Sequence, residues 1–187
     1  IFADLIATQM VQDGDLIGGL ALITMFLCYL RPGEAMRLKD ADLVRPTPQC
    51  SFWALNLHPS SRGESSKLLL SDESLMLDST DLLSLGTFLD RQKSGDPQQP
   101  LFKTQYPAVK KSFENAQESC GVQNVKYVMY LARHGGPSND HRHTLRSLAE
   151  VKQRWRWVGD SSMRRYEAHA RVQQEEGKET LEVQLRT

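Results

Sequence analysis

The sequence carries no surplus of charge: 23 basic residues balance 23 acidic ones. Proteins that grip nucleic acid usually show a basic excess, so the total alone speaks mildly against that class. Cysteine is scarce. Cys28, Cys50 and Cys120 are odd in number and widely spaced, which frames no disulfide scaffold and fits a reducing, intracellular setting. Long apolar runs are missing as well. The longest, residues 16–30, is interrupted by Gly18, Gly19 and Thr24, falls short of a confident membrane span and reads as a buried helix. No membrane partner is expected. No Gly-rich phosphate loop is present, so no nucleotide is expected either. His141 and His143 lie two apart and no Cys-x-x-Cys pair exists, which gives no zinc-like spacing. No metal and no cofactor are expected. There is no nucleophile-elbow motif, no internal repeat and no low-complexity linker.

What remains is a chain of 187 residues with 40% hydrophobic and 25% charged residues, enough for one domain with a real core. It begins at Ile1 rather than Met and so reads as part of something longer. The charge is segregated. Residues 142–171 hold eight basic residues against Glu150, Asp160 and Glu167, whereas residues 64–90 hold six acidic residues against Lys67 alone. The basic stretch suits phosphates, although a solvated helix face has the same composition.

Spacing and caps predict a mixed α+β chain that is mainly helical. Helices are expected over 3–12, 15–30, a short segment from Pro32, 79–93, 105–119, 127–142, 145–155 and 160–170. Asp13 or Asp15 caps the second and Ser79 the fourth. A small antiparallel sheet of about three strands is expected from residues 52–57, 68–70 and 75–77, with a polar loop over 58–66.

Four segments each set one polar residue in a distinctive frame. The first is Leu30-Arg31-Pro32-Gly33-Glu34, at the end of an apolar helix. The second is Ser66-Lys67-Leu68, at a strand edge. The third is Tyr130-Leu131-Ala132-Arg133-His134-Gly135-Gly136. The fourth runs from Trp157 to Tyr166, nine residues apart. In this order they resemble the catalytic boxes of the tyrosine recombinase (phage integrase) family, over roughly residues 15–171. The resemblance implies a tyrosine-recombinase-like catalytic domain over 1–171 with a tail at 172–187, and a DNA-clamping N-terminal domain outside this chain. It assigns Arg31 and Arg133 as the two family arginines, Glu34 as the acid that steadies the first, and Lys67 as the hairpin lysine. Trp157 stands at the family's His-or-Trp position, Tyr166 matches the nucleophile, and His134 follows the second arginine as is common in the family. One box departs: Tyr130 stands where the family usually has histidine.

The chemistry explains the residue types. Phosphoryl transfer spreads charge over the equatorial oxygens, which two guanidiniums clamp in bidentate fashion. A tyrosine oxygen, with a free pKa of about 10, needs positive charge nearby to act as a nucleophile. The departing sugar hydroxyl needs a proton, for which Lys67 is the candidate donor. The family resemblance implies a 3′-phosphotyrosyl link, double-stranded DNA as partner, and self-association on DNA, with residues 172–187 a candidate for exchange between subunits. An intracellular location follows, nuclear in a eukaryote and cytoplasmic otherwise, as for the recombinase of a mobile element.

Taken singly, each residue has an ordinary reading. Arg31 can end a helix and pair with Glu34, Lys67 can guard a strand edge, Arg133 can be a solvated helix charge, and Trp157 can be a core aromatic. Three other functions stay open at this point. They are a related DNA-binding domain that has lost cleavage, a type IB topoisomerase-like enzyme, and a helical protein-interaction domain. The tyrosine at position 130 keeps the first of these in play, since tyrosine is a poor general base.

Overall fold

Caps and apolar stripes account for most of the helices. The computed structural model describes residues 2–64, 72–124 and 128–156, and the chain divides into two compact units, Ile1–Pro137 and Ser138–Thr187. In the first unit, α1 (Phe2–Gln12) buries Ala3, Ile6, Ala7 and Met10, a three-and-four spacing that forms one face. Gly14 closes it in the left-handed conformation. Asp15 N–H donates to Met10 O at 2.8 Å and Gly14 N–H to Val11 O at 3.1 Å, the paired bonds of a Schellman motif.

Asp15 then caps α2 (Leu16–Leu27), its Oδ1 accepting from Gly18 N–H at 2.8 Å. The α1–α2 pair is close because Gly19 has no side chain. A Cβ there would stand 2.8 Å from Ala7 O. The helix expected to reach residue 30 stops at Leu27. Tyr29 turns left-handed at φ 53°, Leu30 N–H reaches back to Met25 O at 3.0 Å, and Pro32 opens α3 (Pro32–Arg37). Among the described residues no helix is long and apolar enough to cross a membrane. The apolar run of α2 is instead core, with Ala21, Leu22 and Met25 wholly buried.

The sheet has three antiparallel strands in the order β1 (Leu43–Val44), β2 (Trp53–Leu57), β3 (Glu73–Leu77). Leu55 pairs with both Leu43 and Leu75, and Leu57 with Glu73. Alternation buries Leu55, Leu57, Leu75 and Leu77 on one face. The expected strand at 68–70 lies outside the described residues. The short β1 was not expected, since two residues give no periodicity to read. α4 (Thr80–Gln92) starts at its expected cap, Ser79, and lies over β2 where Gly86 meets the Trp53 ring. α5 (Tyr106–Ser119) buries Val109, Phe113 and Ala116 and ends in a second Schellman motif at Gly121.

The helix expected over 127–142 begins instead with a 3-10 turn, Met129–Leu131, followed by α6 (Ala132–Arg142). Met129 and Ala132 join the core. In the second unit, α6 ends with Thr144 left-handed at φ 54° and Leu145 N–H on Asp140 O at 2.8 Å. The expected helix at 145–155 becomes α7 (Leu148–Trp155), because Ser147 and Glu150 form a capping box. The helix expected at 160–170 and the tail at 172–187 lie outside the described residues.

Candidate active site

Arg31 precedes Pro32, and the residue before proline is pushed out of the helical region. Its backbone is accordingly extended, at φ −68° and ψ 148°, and it becomes the N-cap of α3. Glu34 sits three residues on. Its carboxylate accepts Arg31 N–H at 2.7 Å and the Arg31 side chain Nη1 at 2.5 Å. One acid therefore caps the helix and steadies the first arginine.

Arg133 reaches the same acid from α6. Its Nη1 donates to Glu34 Oε2 at 3.2 Å and to Tyr29 O at 2.7 Å. Two backbone features make this possible. Left-handed Tyr29 ends α2 next to Arg31 and supplies a carbonyl to Arg133. Gly136 lets α6 lie against the end of α2: a Cβ there would collide with Phe26 O and stand 2.7 Å from the Tyr29 ring. Gly136 belongs to the third sequence segment, where nothing in the pattern marks its part in the site.

The result is one carboxylate shared by two guanidiniums, a centre with surplus positive charge. The two arginines differ in access. Arg31 keeps 30% of its side chain exposed, whereas Arg133 keeps 2%. Arg31 faces solvent, and Arg133 is held inside by a carbonyl and a carboxylate. Burial of a guanidinium is tolerated only with such partners.

Tyr130, on the 3-10 turn before α6, is 46% exposed, and its ring packs on His134 at 5.2 Å between centroids. His134 thus meets Tyr130, one turn away, rather than taking the place of a histidine at 130. Lys67, Trp157 and Tyr166 lie outside the described residues, so the structure brings together Arg31, Glu34 and Arg133, with Tyr130 and His134 as a second pair.

Behind Glu34 lies a small polar pocket lined by Glu34, Arg37, Asp42, Asn56, His58 and Arg62, among others. Arg62 forms a bidentate pair with Asp42 at 2.7 and 2.8 Å and a further bond to Glu64 at 2.8 Å. The bond to Asp42 raises the Arg62 pKa further above its already high value. Asp42, buried, also accepts Lys39 N–H at 2.8 Å. Asp42, His58 and Arg62 did not stand out in the sequence. A lone aspartate or histidine in a loop gives no spacing signal.

No known family model matches the chain, and no curated protein matches it in sequence. Its fold is similar to that of the XerH site-specific recombinase, solved bound to its difH substrate as a pre-cleavage complex. The TM-score is 0.62 at 14% identity, and the match covers 91% of this chain and 49% of that one. The chain thus spans about half the length of this neighbour. A mainly helical chain with a small three-stranded antiparallel sheet, as expected from the sequence, is therefore a tyrosine-recombinase-like catalytic fold.

Proposed function

We propose that this chain cleaves and rejoins DNA strands through a covalent 3′-phosphotyrosine link, as in site-specific recombination or DNA integration. The observation that carries the reading is the Glu34 carboxylate holding Arg31 and Arg133 together. Both arginines match the family boxes in the sequence resemblance, and the fold neighbour is a recombinase bound to its DNA substrate. In this reading Arg31, the accessible member, takes a phosphate oxygen, and Arg133 keeps the centre positive from within. Tyr166 Oη gives up its proton to solvent and attacks phosphorus, the bond to the 5′-oxygen breaks, and Lys67 delivers the proton which that oxygen needs. Trp157 packs beside the phosphate. Reversal with a new 5′-hydroxyl rejoins the strand without an external energy source. Double-stranded DNA is the partner, and strand exchange calls for self-association on it.

A second reading is a related DNA-binding domain that has lost cleavage. Two observations favour it: a half-exposed tyrosine stands at position 130, and Arg133 is turned inward. Nicked suicide duplexes separate the two. The chain is expected to form a denaturation-resistant protein–DNA adduct that disappears in Tyr166→Phe. DNA binding with no adduct under any condition supports the second reading, and absence of DNA binding at low salt removes both.

A further inference from the structure

His58 ends β2 in a left-handed conformation, φ 55°, with its carbonyl accepting Asp72 N–H at 2.9 Å. It is 6% exposed. Its Nε2 points between two carboxylates, 3.6 Å from Glu34 Oε1 and 3.8 Å from Glu73 Oε2. These distances exceed a hydrogen bond, and among the described residues neither Nε2 nor Glu73 Oε2, both buried, has a hydrogen-bond partner. A buried polar atom left in this state calls for an explanation.

The surroundings narrow the explanation. Among the described residues, Glu34 and Arg37 from α3, Asp42 from the 3-10 turn before β1, Arg62 and Glu64 from the segment after β2, and Glu73 from β3 are the charged groups facing this corner. Arg62 is committed to Asp42 and Glu64. Glu34 Oε1 accepts from Arg31 Nη1, the same guanidinium that the proposed function sends to a phosphate. When Arg31 turns to the phosphate, Oε1 loses that donor. His58 Nε2 faces it at 3.6 Å.

We infer that His58 is a positioning residue for the arginine pair, taking over Glu34 Oε1 as Arg31 engages an anionic phosphate oxygen. It moves no proton and touches no substrate. It keeps the Glu34 carboxylate in place while its load shifts. The inference rests on the reading of Arg31 as a phosphate ligand, and it deepens that reading. Glu73 Oε2 lies 3.8 Å from the same nitrogen on the other side, beyond hydrogen-bond reach.

The test uses the full chain, His58→Leu, which lacks a donor, and His58→Gln, which keeps one. Single-turnover adduct formation on a nicked duplex is expected to slow about ten- to a hundredfold in the Leu variant, the scale of a misplaced reacting group. Duplex affinity should stay within about twofold, because one phosphate of many is involved. The Gln variant should recover most of the rate. Equal loss in both variants, or loss in neither, overturns the inference. If His58→Leu does not fold, Glu73→Gln replaces it. That variant leaves His58 to Glu34 alone and should keep the wild-type rate, so a marked fall overturns the inference. Should wild type form no adduct, the cleavage reading fails, and titration with inorganic phosphate then decides. The Arg31 Nε–H resonance should shift at lower phosphate concentration in wild type than in His58→Leu, and identical titrations overturn the positioning role.

Discussion

Glu34 carries two arginines that lie 99 and 3 residues from it along the chain. Its side chain is 3% exposed, so its charge has little water to fall back on. Removing it takes the carboxylate partner from the buried Arg133. Breaking such a buried pair by deleting one partner costs about 3–5 kcal/mol. Glu34→Ala is therefore expected to lower unfolding stability by that order in a urea titration, besides abolishing any adduct. Gly136 is the second exacting residue. A methyl group there meets the backbone oxygen of Phe26, which no rotamer change relieves. Gly136→Ala should cost about 1–3 kcal/mol, at the upper end of that range, and push Arg133 away from Glu34. A Gly136→Ala variant as stable as wild type would show that α6 does not lie as close as described.

Helix ends separate into two kinds. α1 and α5 close on Gly14 and Gly121, residues that adopt the left-handed conformation without strain. α2 and α6 make the same closure with Tyr29 and Thr144, which do not. Thr144 is exposed, and Thr144→Gly is expected to raise the thermal midpoint by the equivalent of about 0.5–1 kcal/mol, strain relief less the entropy of glycine. Tyr29→Gly should move stability the other way by about 2–4 kcal/mol, because a wholly buried ring is lost. The strain at Tyr29 persists because its ring is core and its carbonyl serves Arg133. Strained backbone of this kind gathers at functional positions.

These ends also mark the limit of what the sequence reveals. α1, α4 and α5 were legible because their caps and apolar stripes agree. α2 was read three residues too long because nothing in Leu27-Cys28-Tyr29 announces a stop. Arg31, Glu34 and Arg133 were legible as a motif, and the structure joins them. Their unequal exposure was not legible, since it depends on where α6 lands on α2. His58, Asp42 and Arg62 were invisible because each acts through tertiary partners rather than spacing.

For the whole molecule, balanced total charge and segregated local charge pull in different directions. Under the proposed function, the basic stretch over 142–171, the arginine pair and Lys67 are the groups that meet phosphates, and the acidic residues over 64–90 add no attraction. Duplex binding by this chain is then expected to be modest at low salt and to weaken at least about tenfold between 50 and 200 mM salt. Fluorescence anisotropy across that range checks it. A salt-insensitive, tight complex would mean that contacts other than phosphates dominate.

The distance between Glu34 and Arg133 along the chain has a consequence for how the molecule comes together and falls apart. Arg31 and Glu34 meet within one turn, so their pairing can form as soon as α3 does. Arg133 joins only after a loop of about a hundred residues has closed, and such contacts come late on the folding path. A bond absent from the transition state leaves the folding rate alone and slows unfolding. The shared carboxylate therefore works as a latch that shuts last and sets how long the folded molecule survives once made.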